Sequence, residues 1–266
     1  MGRRTILITG ASRGIGAAIA KGFAETDAAL IGLHCHSHEE ETREVAASIE
    51  RLGVQAELFP LDLADQPQRA TAQLAACFLD RAEALTGRRE IDVLVNNAGA
   101  AHHGNFDELS EHTLQRLTSL NLAAPMFLIQ ALLPHIAPFG RVINISSGLT
   151  RVAAPYQVAY AAAKAALNSM TSSLAPILGS REATINAVLP GYVNTESMER
   201  SLLQSGRREL VESLSVMGRI GYPWDVAYIV RFLASDEGAW VTGQLIDATG
   251  GSGLLGGLPF PEQRGA

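Results

Sequence analysis

The chain has 266 residues, of which 47% are hydrophobic and 18% charged, a composition that excludes disorder and supplies apolar material for one α/β core. Its net charge of -6, with acids and bases interspersed, offers no basic face to nucleic acid. Cys35 and Cys77 have no metal-ligand spacing, no apolar run suggests a bilayer span, and the first residues lead straight into a strand. The expectation is a free cytoplasmic protein with no metal site and no membrane partner.

The apolar run 5–9 stops at Gly10, after which Ile15, Ile19 and Phe23 recur at helical spacing, predicting strand, turn and helix. Residues 29–34 read as a second strand, 39–52 as a helix carrying Val45, Ile49 and Leu52, and 55–60 as a third strand. Strands at 91–95, 141–145, 184–188 and 244–248 follow, separated by segments of helical length. Runs apolar on both faces belong to parallel sheets, so the seven strands predict a single Rossmann-type doubly wound α/β domain over 1–266, with helices on both sides. Ligands of such folds bind beyond the carboxyl ends of the strands. The glycine-rich stretch 250–257 reads either as a flexible tail or as an oligomer contact.

After the first strand, Thr9-Gly10-Ala11-Ser12-Arg13-Gly14-Ile15-Gly16 places glycines where backbone must turn sharply and approach a pyrophosphate at a helix amino end. A ligand-free glycine turn would share that pattern. After the fourth strand, Val95-Asn96-Asn97-Ala98-Gly99 supplies small residues and two amides for the wall of the same crevice. Tyr160 and Lys164 lie one helical turn apart, and Ser147 falls just past the fifth strand, so the three can share one mouth.

Taken in order, these residues resemble the short-chain dehydrogenase/reductase family, in particular its members of this length that include 3-oxoacyl-carrier-protein reductases. The likeness continues through Asp62, Asn121, Pro190-Gly191-Tyr192-Val193-Asn194-Thr195, Thr242-Gly243-Gln244 and Gly250-Gly251, covering nearly the whole chain. It implies an oxidoreductase that reduces a ketone or β-ketoacyl carbonyl, with Tyr160 as proton donor. It further implies that Lys164 holds the nicotinamide ribose, that Ser147 rather than Ser146 fixes the carbonyl oxygen, and that Asn121 distorts a long helix and holds a relay water. A free phenol titrates at about 10, and the Lys164 ammonium with an oxidised nicotinamide is expected to depress it.

The resemblance also gives the cofactor contacts: Gly10, Ser12, Arg13, Gly14, Ile15 and Gly16 in the loop, His34 and Cys35 at the end of the second strand, and Asp62 and Leu63 at the adenine. Asn97, Ala98, Gly99, Tyr160, Lys164, Pro190, Gly191, Val193 and Thr195 complete the set. No acid stands where one would select NAD; the acidic position falls at or near His34, and Arg13 is placed for a 2′-phosphate, so NADP is expected, with NAD as the other choice. The histidines of 34–38 either add charge in mild acid or are solvated surface. Residues 195–217 are expected to form a flap over a small carbonyl or alcohol substrate, and His102 and His103 either touch that substrate or belong to a surface loop. Pro176 should bend or end the helix carrying Tyr160, a helix expected to serve a homotetramer or homodimer. The competing readings are alcohol, sugar or steroid oxidation, and an NADP sensor that performs no turnover.

Overall fold

The computed structural model describes residues 4–255. Seven parallel strands, β1 (Arg4–Ile8), β2 (Ala28–Cys35), β3 (Gln55–Pro60), β4 (Ile91–Asn96), β5 (Ile136–Ile145), β6 (Thr184–Pro190) and β7 (Leu245–Ala248), form one sheet in the order β3-β2-β1-β4-β5-β6-β7. The order reverses between β1 and β4, opening a crevice at the carboxyl ends of those two strands.

Side-chain alternation explains the two covered faces. Ile6, Ile8, Ile31 and Leu33 point into one apolar cluster with helices α1 (Gly14–Ala24), α2 (Glu39–Glu50) and α9 (Pro223–Ala234). Leu7, Leu30, Leu94 and Val142 point the other way, onto α3 (Pro67–Thr86), α5 (Ala124–Leu132) and α6 (Val158–Gly179). Helix α4 (Glu111–Thr118) runs into α5 through a wide π turn, Ser119–Ala123. Two short helices, α7 (Glu196–Ser205) and α8 (Arg208–Ser213), occupy the segment expected to be a flap and share the small cluster of Leu202, Val211 and Ile220.

Three expectations need correction. Strand β5 begins at Ile136, ahead of the predicted 141, because Ile136 and Ala137 are buried and the β4 register shifts between Ile91 and Val93, which lets Ile91 pair with Ile136. Pro176 does not end its helix: α6 continues to Gly179, and the missing amide falls in its last turn. The continuous helical stretch Glu111–His135 is long and apolar enough to cross a bilayer, contrary to the sequence reading, yet Leu117, Ala124, Leu128, Ile129 and Leu132 on it are buried against the protein. Of the glycine-rich stretch, Gly250 and Gly251 turn with positive φ against Ser215 and Val216, while 256 and 257 lie outside the described residues.

Candidate active site

The glycine loop is fastened to β4 by side chains. Thr9 Oγ1 accepts from the amides of Asn97 and Ala98 at 3.0 and 2.9 Å, and Asn97 Nδ2 donates to the carbonyls of Thr9 and Gly10, both at 2.9 Å. This closeness dictates the glycines. A Cβ on Gly16 would stand 2.1 Å from the Gly10 carbonyl oxygen, and one on Gly10 2.9 Å from Ala98 Cα. Gly14, at φ +56, lies against the Thr195 side chain, so the loop also meets the strand-to-flap junction. The first turn of α1 has no side-chain cap and no acid, leaving an amide-rich end suited to an anion. Ser12 and Ile15 lie within this loop at intermediate exposure, and Arg13 forms no ion pair or side-chain hydrogen bond among the described residues.

The residues expected to carry the chemistry converge at the ends of β4 and β5. Tyr160 lies in the first turn of α6 and is partly buried; Ser147 and Lys164 are buried. Ser147 Oγ accepts from the Leu149 amide at 3.2 Å and is placed to favour the ionised form of the Tyr160 phenol. Lys164 Nζ donates to the Ile145 carbonyl at 2.7 Å and stands 6.0 Å from the centre of the Tyr160 ring. Ser146 serves backbone, its hydroxyl donating to the Lys164 carbonyl at 3.3 Å.

The expected acidification of Tyr160 is not what the protein alone produces. Burial pushes the phenol above its ordinary value, and Ser147 offsets only part of that shift. Lys164 does not oppose the burial, since its ammonium is directed at the Ile145 carbonyl and is itself desolvated, which lowers its pKa from 10.5 to about 8.

Asn121, fully buried in the π turn, donates from Nδ2 to Ala100 and Leu117 carbonyls at 2.9 and 3.0 Å, while its Oδ1 has no partner among the described residues. That oxygen and Lys164 Nζ border the same spot: a Cβ on Gly99 would meet them at 2.8 and 3.5 Å. Gly99 therefore keeps open the space between the two polar groups.

At the other end of the crevice, His34 differs from expectation. It is 2% exposed, its Nδ1 accepts from the Gly10 amide at 3.2 Å and its Nε2 donates to the Leu61 carbonyl at 2.9 Å. Burial lowers its pKa to about 4, so it is a neutral strut under the glycine loop and adds no charge in mild acid. Cys35 is also buried, with its thiol pushed up by desolvation. The first exposed side chain beyond β2 is His36, whose Nε2 lies 3.7 Å from Asp62 Oδ2. Burial favours the neutral form of Asp62, but the Ala64 amide, His36 and Arg116 together hold its carboxyl below the usual range. Leu63 is buried beside it. Pro190 ends β6, and Gly191 is packed so tightly on Thr249 that a Cβ would lie 2.8 Å from its Cα. Val193 is buried and bridged to Gly221, and Thr195 caps α7 through Met198 N at 3.3 Å.

A family model described as enoyl-(acyl carrier protein) reductase matches residues 10–252. A short-chain dehydrogenase/reductase from Cladobotryum sp, FrzI, is 36% identical, covering 93% of this chain and 95% of its own. The chain is a short-chain dehydrogenase/reductase. Within this oxidoreductase family it is also 34% identical to an L-rhamnose 1-dehydrogenase (NAD(P)(+)) of a Sphingomonas species, over 93% of this chain and 95% of that one. Among solved structures it is similar to the angucycline C-6 ketoreductase LanV with bound NADP, at 37% identity and TM-score 0.89, covering 94% and 96% of the two chains. LanV has also been solved with NADP and rabelomycin, at TM-score 0.86.

Of the two amides expected in the crevice wall, Asn96 instead joins a buried polar network within the sheet. Asn96 Nδ2 donates to Asn144 Oδ1, and Asn144 Nδ2 to Thr171 Oγ1, both at 2.9 Å, forming a buried ladder from β4 through β5 to α6 directly behind the reacting groups. Its signal was present: asparagines that end two apolar runs fall opposite each other in the sheet register.

Proposed function

We propose that this short-chain dehydrogenase/reductase reduces a ketone or β-ketoacyl carbonyl to an alcohol with NADPH, Tyr160 donating the proton. The observation that carries the reading is the convergence of Ser147, Tyr160, Lys164 and Asn121 at one strand-end mouth beside a loop built for close backbone approach. The dinucleotide, when bound, supplies the hydride.

The chain's own residues supply orientation and the proton. Ser147, whose Oγ is held by the Leu149 amide, donates its proton to the carbonyl oxygen and stabilises the charge that develops there. Tyr160, kept protonated by burial, holds the proton that the reduced product requires. Lys164, which a pKa of about 8 leaves mostly protonated at pH 7, holds the nicotinamide ribose, the role the family likeness gives it. Asn121 Oδ1, facing Lys164 across Gly99, accepts from the water that restores the proton.

For the cofactor, Gly10, Ser12, Gly14, Ile15 and Gly16 hold the pyrophosphate, and Arg13 takes the 2′-phosphate. His36 replaces His34 and Cys35 as the β2 contact, since both of those are buried. Asp62 and Leu63 flank the adenine; Asn97, Ala98, Gly99, Pro190, Gly191, Val193 and Thr195 line the nicotinamide half, over which residues 195–217 form the substrate flap. The NADP carried by LanV supports this choice. The free thiols of Cys35 and Cys77 fit a reducing cytoplasm, and we take a homodimer or homotetramer as the working assembly. The L-rhamnose dehydrogenase relative favours the second reading, sugar oxidation with NAD(P).

The test is Tyr160→Phe against a panel of ketones and β-ketoacyl thioesters, followed at the nicotinamide absorbance. NADPH consumption should disappear while NADPH binding, read by fluorescence, persists. Turnover near that of the parent refutes the assigned role.

A further inference from the structure

Two residues not assigned any role above tie the segment carrying Ser147 to the helix carrying Tyr160. Ser147 opens the tight turn Gly148–Arg151, and its carbonyl accepts twice from Thr150, from the amide at 3.2 Å and from Oγ1 at 2.8 Å. Thr150 Oγ1 in turn accepts from Asn168 Nδ2, on α6, at 3.0 Å. A hydroxyl has one proton to give. Because Asn168 presents a donor, Thr150 directs that proton to the Ser147 carbonyl, and the chain of hydrogen bonds runs from α6 through Thr150 to Ser147. On the other side of Ser147, Ser146 Oγ donates to the Lys164 carbonyl at 3.3 Å, again on α6. One helix therefore holds the backbone on both sides of Ser147. Tyr160, Lys164 and Asn168 follow one another at four-residue spacing along one face of that helix.

Stability does not account for Asn168. It is 8% exposed, and its Oδ1 has no partner among the described residues. An acceptor left buried and unpaired costs at least as much as one neutral hydrogen bond contributes, and an apolar side chain of the same size would avoid that cost. What the amide provides is a fixed separation between the turn and α6. A group that stabilises developing charge must stand where that charge appears, and a displacement of about 1 Å removes much of its effect. We propose, resting on the reductase reading above, that Thr150 and Asn168 are positioning residues whose hydrogen-bond chain fixes where the Ser147 hydroxyl stands relative to Tyr160. Both act through Ser147 rather than on the substrate.

The experiment compares the full-length parent with Thr150→Val, Thr150→Ser, Asn168→Leu and the double variant Thr150→Val/Asn168→Leu. Each is assayed with NADPH and whichever carbonyl compound of the Tyr160→Phe panel the parent reduces fastest. Turnover is counted per NADPH-binding site, titrated by fluorescence, so that loss of folded protein does not register. Thr150→Val should lower kcat about tenfold while KM for the carbonyl compound and Kd for NADPH change by less than about twofold, and Thr150→Ser should keep kcat within about twofold of the parent. Asn168→Leu should lower kcat by about 3- to 10-fold without lowering the midpoint of thermal unfolding, a combination that a merely structural role does not give. The double variant should be no slower than Thr150→Val alone, since both changes cut one chain. A kcat unchanged in both Thr150→Val and Asn168→Leu, a kcat as low in Thr150→Ser as in Thr150→Val, or losses that multiply in the double variant overturn the positioning role and leave the reductase reading standing. A parent that consumes NADPH with no member of the panel overturns the reductase reading and the positioning role together.

Discussion

Replacing Lys164 by methionine should make the protein more stable and inactive at once. The parent holds an ammonium in a fully buried position where its pKa has fallen from 10.5 to about 8. A cation whose folded pKa lies below its unfolded value destabilises the fold at every pH where the unfolded chain still binds the proton. Here that penalty is complete below pH 8, declines between about 8 and 10.5, and vanishes above. Its size, from the two values, is roughly 3 kcal/mol at pH 7 and less than about 1 kcal/mol at pH 10. Methionine matches the stem of lysine and removes the titration, but it orphans the Ile145 carbonyl, which accepts from Nζ at 2.7 Å, at a cost of about 1–3 kcal/mol. The net gain at pH 7 is therefore about 1 kcal/mol, and its pH dependence is the sharper signature. Urea unfolding of both proteins at pH 7, 8, 9 and 10 should show the stability difference moving by about 2–3 kcal/mol in favour of the parent as pH rises. A difference that stays flat would mean that Lys164 titrates normally in the fold, and the argument from burial would fail.

His34 should make the protein acid-labile by the same reasoning, in a lower pH window. Its folded pKa of about 4 lies below the ordinary 6.5, so stability should fall by roughly 3 kcal/mol as pH drops through that window, and His34→Gln should flatten the decline in thermal melts. Cofactor choice should pass to Arg13 and His36: Arg13→Ala should weaken NADPH more than NADH by about tenfold, and His36→Asp should move preference toward NADH. An unchanged ratio of dissociation constants in both variants refutes this placement of the 2′-phosphate. Glu182 holds φ +59 on an exposed turn after α6, a conformation that costs a non-glycine residue about 1 kcal/mol. Glu182→Gly should raise the midpoint of thermal unfolding by about 2 °C.

The fold was legible because its strands are buried on both faces. Ile6, Leu7 and Ile8, or Leu30 and Ile31, are buried as consecutive apolar residues because helices cover both sides. The chemistry of the site was legible where spacing is local, as for Tyr160 and Lys164 on one helix. It was not legible where protonation depends on surroundings. The opposite shifts of Tyr160 and Lys164 follow from how much protein encloses them and from the direction in which Lys164 Nζ points, neither of which spacing encodes. His34 was misread for the same reason. A histidine at the end of a strand looks like a ligand contact until the Gly10 amide and Leu61 carbonyl are seen to occupy both ring nitrogens.

Three of the four buried polar atoms left without protein partners among the described residues lie towards the mouth. They are Asn121 Oδ1, Asn168 Oδ1 and Asn194 Oδ1, whereas Arg141 Nε lies at the other end of the sheet, beside Thr184 at the start of β6. Asn121 faces Lys164 across Gly99, Asn168 lies one turn beyond Lys164 on α6, and Asn194 follows β6 at the start of the flap segment. An unpaired buried acceptor costs about 1–3 kcal/mol, so these positions carry unfavourable energy on the side of the sheet where ligands enter. The apolar interior of β1 and β2 carries none of it, and that asymmetry has a consequence. Ligands that complete these hydrogen bonds stabilise the mouth specifically, so amide hydrogen exchange on addition of NADPH should slow most in 97–100, 119–123 and 191–195. Uniform slowing across β2 and β3 as well would show that the unpaired groups do not localise the gain.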